Sequence, residues 1–133
     1  MSGTVHIPLE QAGATVREVM MREPRSVGAA TQIADVRETF ANPGVKLMLV
    51  TAGERFLGTL GREDLPAEGD GPIEPHVRSD RPQLRPEDPV EAALTLVREH
   101  GMTRIPVVDE GDQLLGLVCF NKSHSAFCVY PTA

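Results

Sequence analysis

The residues of this chain with chemical capacity are few, and their spacing excludes more than it supports. Asp64 lies in GREDL, near the start of a short helix, where a carboxylate either caps backbone N–H groups and faces the favourable end of the helix dipole or accepts hydrogen bonds from a ligand. Cys119 lies in the apolar run LLGLVCF and reads as a small buried hydrophobe rather than a reactive thiolate. Lys122 follows it and reads as a solvated surface lysine. Cys119, His124 and Cys128 are close together, but their spacings of five and four do not match a zinc knuckle and no fourth ligand accompanies them. His6, His76 and His100 are scattered, as expected of surface or packing residues. Arg17, Arg22, Arg25, Arg78, Arg81 and Arg85 gather near the starts of two extended segments, where they could line an anionic ligand site or form a solvated rim. There is no GxSxG elbow, no GxxxxGK loop, no HExxH pair and no obvious pair of catalytic carboxylates. The pattern therefore points to binding rather than catalysis.

Composition narrows the partners. With 133 residues and 41% hydrophobic content, the chain can form one compact domain or two small halves sharing a core. A net charge of −6 argues against nucleic acid or an anionic membrane surface, both of which need clustered Lys and Arg. No stretch approaches the roughly 18 apolar residues of a membrane span. The start, MSGTVHIPLEQAG, lacks the basic and apolar regions of a secretory signal. Two cysteines suit a reducing compartment, so a cytoplasmic protein is expected. With four Phe, one Tyr and no Trp, the core must be aliphatic.

The elements that must position these residues come in two copies. Thr103 to Lys122, TRIPVVDEGDQLLGLVCFNK, reads as a hairpin with Glu110, Gly111 and Asp112 at its turn. Lys46 to Leu60, KLMLVTAGERFLGTL, repeats it with Ala52, Gly53 and Glu54 at the turn, and Gly58 precedes its counterpart Gly116 by 58 residues. Before the first hairpin, Thr15 and Glu18 form a capping-box pattern for a short helix. Arg25 to Val27 is extended, and Thr31 can cap a helix whose apolar stripe is Ile33, Val36 and Phe40. Before the second, His76 and Val77 match the short helix and Pro82 to Leu84 match the extended segment. Asp88, Pro89 and Glu91 are expected to open a helix with the stripe Val90, Ala93, Leu94 and Val97, ending at Gly101. A last helix is expected from Asn121 to Phe127, and Val5, Ile7 and Leu9 alternate as an edge strand would. Residues 66–75, rich in Pro, Gly and acids, read as a linker. The expected division is an arm at 1–14, repeats at 15–66 and 76–128 with the linker core at 67–75, and a tail at 129–133. The fold class is α/β in the α+β sense, each repeat being β-α-β-β-α, with the repeats packed about a pseudo-two-fold axis.

Two such copies in register resemble a tandem pair of cystathionine-β-synthase (CBS) domains, a Bateman module. VREHGMTRIPVVDEGDQLLGLV carries the resemblance best, and VREVMMREPRSV with LGTLGREDL carries it in the first copy. The resemblance implies a regulatory module, not an enzyme, that binds AMP, ADP, ATP or S-adenosylmethionine in clefts between repeats. It also implies a homodimer that passes its signal to an effector protein. In the family a Gly strand runs into a Thr or Ser and, three residues later, an Asp that holds the ribose hydroxyls. Carried over, the hydroxyl position is Gly61 and the ribose acid is Asp64, flanked by Thr59 and Arg62. In the second copy Cys119 and Lys122 take these places, so ribose is held poorly there, although Lys122 could reach a phosphate. The base is expected against Ser26, Val27 and Met48 in one site and Gln83, Leu84, Ile105 and Pro106 in the other. The main alternative is a dimeric interaction or scaffold module with decayed sites. A weaker one is an enzyme using Cys119 as a thiolate.

Overall fold

Alternating and helical apolar periods become eight strands and two helices in the structure, a computed structural model that describes residues 5–8, 15–22, 24–120 and 126–129. In chain order the strands are β1 (Val5–Pro8), β2 (Met21–Arg22), β3 (Ser26–Gly28), β4 (Leu47–Ala52), β5 (Arg55–Gly61), β6 (Arg104–Val108), β7 (Leu114–Cys119) and β8 (Ala126–Val129). The helices are α1 (Ile33–Phe40) and α2 (Val90–His100). The chain folds as two compact units, one made of residues 25–81 and the other of the residues up to Pro24 together with those from Pro82 onward.

The contiguous unit is a sheet in the order β3-β4-β5, with β3 parallel to β4 and β5 antiparallel. Beyond β5 the backbone of Thr59 pairs antiparallel with Arg78. Val36, Phe40, Val50, Leu60 and Ile73 form its core. The discontinuous unit has the same plan. Leu84 pairs parallel with Val107 on β6, β6 pairs with β7, and β2 lies antiparallel on the far side of β7. Val16, Val19, Leu84, Ile105, Val107 and Phe120 are among its core residues, and Phe120 meets Phe127 with ring centroids 4.7 Å apart. Both hairpins shift register once, at Val50/Thr51 and at Val107/Val108, matching positions of the duplication. A separate two-stranded sheet pairs β1 with β8, so the expected amino-terminal strand forms over Val5–Pro8.

Glycine at 58 and at 116 is explained by this plan. A Cβ on Gly58 would overlap the Arg78 carbonyl, and one on Gly116 would lie 2.6 Å from the Met21 carbonyl oxygen. In each unit the segment beside the hairpin comes from the neighbouring sequence repeat and passes too close for a side chain.

Several local expectations are corrected. The short helix at Thr15 is a 3-10 turn, Val16–Glu18, although the Thr15 N–H does donate to Glu18 Oε2 at 2.8 Å as in a capping box. Thr31 does not cap α1. Asp70 Oδ1 accepts from the Ala34 N–H at 3.2 Å, and the Gly71 carbonyl accepts from the Ile33 N–H at 2.8 Å, so α1 is capped from residues 66–75. Those residues are docked along α1, with Arg37 donating to the Gly69 and Pro66 carbonyls. Asp88 does not cap α2 either: its Oδ2 accepts from the Arg85 N–H at 2.8 Å, closing the preceding turn, and Pro89 holds the cap position. Gly101 does end α2, at φ +66. The expected helix from Asn121 to Phe127 fails at its end, because Ala126 and Phe127 lie in β8; its first five residues fall outside the described residues. Among the described residues no helix is long and apolar enough to cross a membrane.

Candidate ligand-binding site

Strand β5 and the chain after it build the one buried charged cluster among the described residues. The Thr59 N–H donates to the Arg78 carbonyl at 2.9 Å and the Arg78 N–H donates back at 2.8 Å, which fixes Arg78 and Arg81 beside the end of β5. After Gly61 the chain turns through a 3-10 turn, Arg62–Asp64, and Asp64 folds back on it. Asp64 Oδ2 accepts from the Gly61 N–H and from Arg81 Nη1, both at 2.7 Å. Arg78 Nη1 lies 3.7 Å from Asp64 Oδ1. Arg81 also donates to Thr59 Oγ1 at 3.1 Å and to Glu63 Oε1 at 2.9 Å. Arg78 is bidentate to Asp80, at 2.8 and 2.7 Å.

Burial decides how these charges behave. The Asp64 side chain is 6% exposed and that of Arg81 19% exposed. Burial alone would raise the Asp64 pKa, but the Arg81 hydrogen bond, the Gly61 N–H and the charges of Arg81 and Arg78 together hold the carboxyl below its ordinary value. Asp64 is therefore an ionised buried acceptor at neutral pH. The Arg78 hydrogen bond pushes the exposed Asp80 down to about 2. Of the two Asp64 oxygens, Oδ2 carries both short bonds and Oδ1 only the longer approach of Arg78, so acceptor capacity remains on Oδ1.

The structure places the expected site residues in two groups. Ser26, Val27, Met48, Thr59, Gly61, Arg62 and Asp64 belong to the contiguous unit. Ser26 accepts from the Thr51 hydroxyl at 3.2 Å, while Val27 and Met48 pack half-buried against the core. Arg62 turns away from Asp64: it donates to the Val45 carbonyl at 2.8 Å and to that of Asn42 at 3.3 Å, and lies over the Phe40 ring. Gln83, Leu84, Ile105, Pro106 and Cys119 belong to the other unit. Gln83 is exposed, but Leu84, Ile105, Pro106 and Cys119 are buried, and Ile105 has no exposed surface. Lys122 lies outside the described residues.

Sequence reasoning missed Arg78 and Arg81 as partners of Asp64 and Glu63 as a member of the cluster. No local spacing links residue 64 to residue 81, and only the Thr59–Arg78 pairing brings them together. The duplication then supplies a contrast. The matching places in the other unit hold Met21, Leu117 and Cys119, which form a small apolar cluster. Among the described residues the ionic network exists in one copy.

A family model of the CBS domain matches residues 16–66 and 76–120. The chain belongs to the CBS domain family. Its fold is that of solved CBS pairs. The structure of CBSX2 in complex with AMP is 20% identical, with a TM-score of 0.70 over 85% of this chain and 93% of that one. A CBS domain pair/ACT domain protein from Thermotoga maritima is 23% identical, with a TM-score of 0.68 over 79% and 88%. The CBS domain pair of protein MJ0100, in complex with 5′-methylthioadenosine and S-adenosylmethionine, is 14% identical, with a TM-score of 0.62 over 79% and 88%. Among curated proteins no sequence match is found.

Proposed function

We propose that this CBS pair is a regulatory module that binds an adenosyl ligand, with Asp64 as the acceptor for the ribose hydroxyls. The observation that carries the reading is the state of Asp64, a buried carboxylate held ionised by Arg81 and Arg78, and the family resemblance is what assigns it to ribose. Such a group holds a pair of hydroxyls by charge-assisted hydrogen bonds without first losing a proton. Ser26, Val27 and Met48 would flank the base, and Thr59 and Gly61 the sugar. CBS pairs of the same fold have been solved with AMP and with 5′-methylthioadenosine and S-adenosylmethionine, which supports the ligand class. In this reading the module is a cytoplasmic homodimer acting on a separate effector, and the ligand shifts its state through unequal affinity for two conformations. The second copy, with Cys119 and Lys122 at the matching places, serves the pairing rather than ribose binding.

A second reading, a scaffold without a small ligand, is favoured by one observation: Arg81 already occupies Asp64 Oδ2. Isothermal calorimetry with AMP, ADP, ATP, S-adenosylmethionine and NAD separates the two. At least one ligand is expected to bind, with affinity lowered about tenfold or more in Asp64→Asn, since a lost charged hydrogen bond is worth about 1.5–3 kcal/mol. Binding of none supports the scaffold. Binding undiminished in Asp64→Asn removes Asp64 from the site.

A further inference from the structure

We infer that this site selects adenosyl ligands that carry no phosphate, such as adenosine, 5′-methylthioadenosine or the sulfonium S-adenosylmethionine. The inference rests on the ribose role of Asp64 proposed above and concerns what lies beside it. Two arginines at the site suggest at first a phosphate pocket. Their partners argue otherwise. Arg81 is bound to Asp64 and Glu63, and Arg78 to Asp80 with Asp64 at 3.7 Å, so two guanidinium groups face three carboxylates. Arg62, next in the turn, is committed to the Asn42 and Val45 carbonyls. The ion-paired cluster of Arg78 and Arg81 with Glu63, Asp64 and Asp80 therefore carries one net negative charge, and among the described residues of that cluster a phosphate gains a cation only by taking it from a carboxylate.

One backbone donor of the turn is withdrawn as well. The Gly61 N–H, first in the turn, donates to Asp64 Oδ2. A hydroxyl-bearing residue at 61 would put its Cβ 2.6 Å from Glu63 Oε1, so the Glu63 carboxylate stands where that side chain would be. A ligand group reaching past the ribose toward Gly61 therefore meets an anion. An uncharged thioether is tolerated there, and a sulfonium is attracted. By contrast, one net negative charge about 6 Å from a phosphate charge weakens binding by roughly threefold at bulk-water screening and by roughly a hundredfold at an effective dielectric of about 20.

The test is calorimetry of the intact chain with adenosine, 5′-methylthioadenosine and S-adenosylmethionine against AMP and ATP, at low and high salt, in wild type, Glu63→Gln and Asp64→Asn. The unphosphorylated ligands should bind at least about threefold more tightly than AMP, with ATP weaker still, and the gap should narrow at high salt as screening grows. Glu63→Gln should narrow the gap by improving AMP binding. Its side chain is 73% exposed, so the variant is expected to fold as the wild type does. If AMP or ATP binds as tightly as 5′-methylthioadenosine and both depend on Asp64, the selectivity is refuted while the site stands. A gap unchanged in Glu63→Gln also refutes it. If no ligand binds, or none depends on Asp64, the site reading fails and takes the inference with it.

Discussion

The Asp64–Arg81 pair lends itself to a double-mutant cycle. Two unit charges about 4 Å apart attract by about 4 kcal/mol at an effective dielectric of about 20. Desolvating a carboxylate that is 6% exposed offsets much of this. The net worth of a hydrogen bond between charged groups is about 1.5–3 kcal/mol. Asp64→Ala also leaves the Gly61 N–H without its acceptor and Arg81 without its closest anion, so this variant should cost about 2–4 kcal/mol. Arg81→Ala, which retains the Gly61 bond, should cost about 1.5–3 kcal/mol. The double variant should then be about 1.5–2 kcal/mol less destabilised than the sum of the singles. Urea unfolding followed by circular dichroism measures each corner, and calorimetry checks whether the two units melt together. Additivity within about 0.5 kcal/mol would show that the pair is not coupled and refute the account of the site.

Asp64 titrates below its ordinary value of 3.8 in the folded chain, so its contribution is complete above the unfolded-state pKa and lost as pH falls through the lower folded value. Acid unfolding below about pH 4 should accordingly be flatter in Asp64→Asn, and an unchanged acid limb would count against the pair. Gly58→Ala and Gly116→Ala should each cost about 2 kcal/mol or more by thermal or urea melts, because the added methyl meets backbone carbonyls of the crossing segments. Asp70→Ala should cost about 1 kcal/mol through loss of the α1 cap, while Asp112→Gly should stabilise by about 0.5–1 kcal/mol because residue 112 holds φ +64.

What is legible in the sequence is what short-range chemistry dictates. The hairpins, the apolar stripes of both helices and the Thr15–Glu18 box are set by residues within four or five positions of one another, and the copies in register make the family recognisable. The caps of α1 and α2 are not legible in this way. Thr31 and Asp88 are the local candidates, whereas α1 takes its cap from Asp70, 36 residues from Ala34. The site is hidden for the same reason. Asp64 is visible as an acid after a glycine strand, but its partners arrive through a backbone pairing between Thr59 and Arg78 that no periodicity encodes. The end of the expected final helix is lost to β8, where pairing with β1 overrides local helical spacing.

The two compact units differ in one respect that bears on how the chain is made. Residues 25–81 form one contiguous compact unit, so this unit can close as soon as Arg81 is clear of the ribosome. The other cannot: β2 waits for β7, with Met21 paired to Leu117 across nearly the whole chain. Until then Val16, Val19 and Met20, which end buried, have no core to join. The chain thus carries an order of assembly in its connectivity, an early local unit followed by a late long-range one. The late closure, rich in distant contacts, is where folding should be slowest.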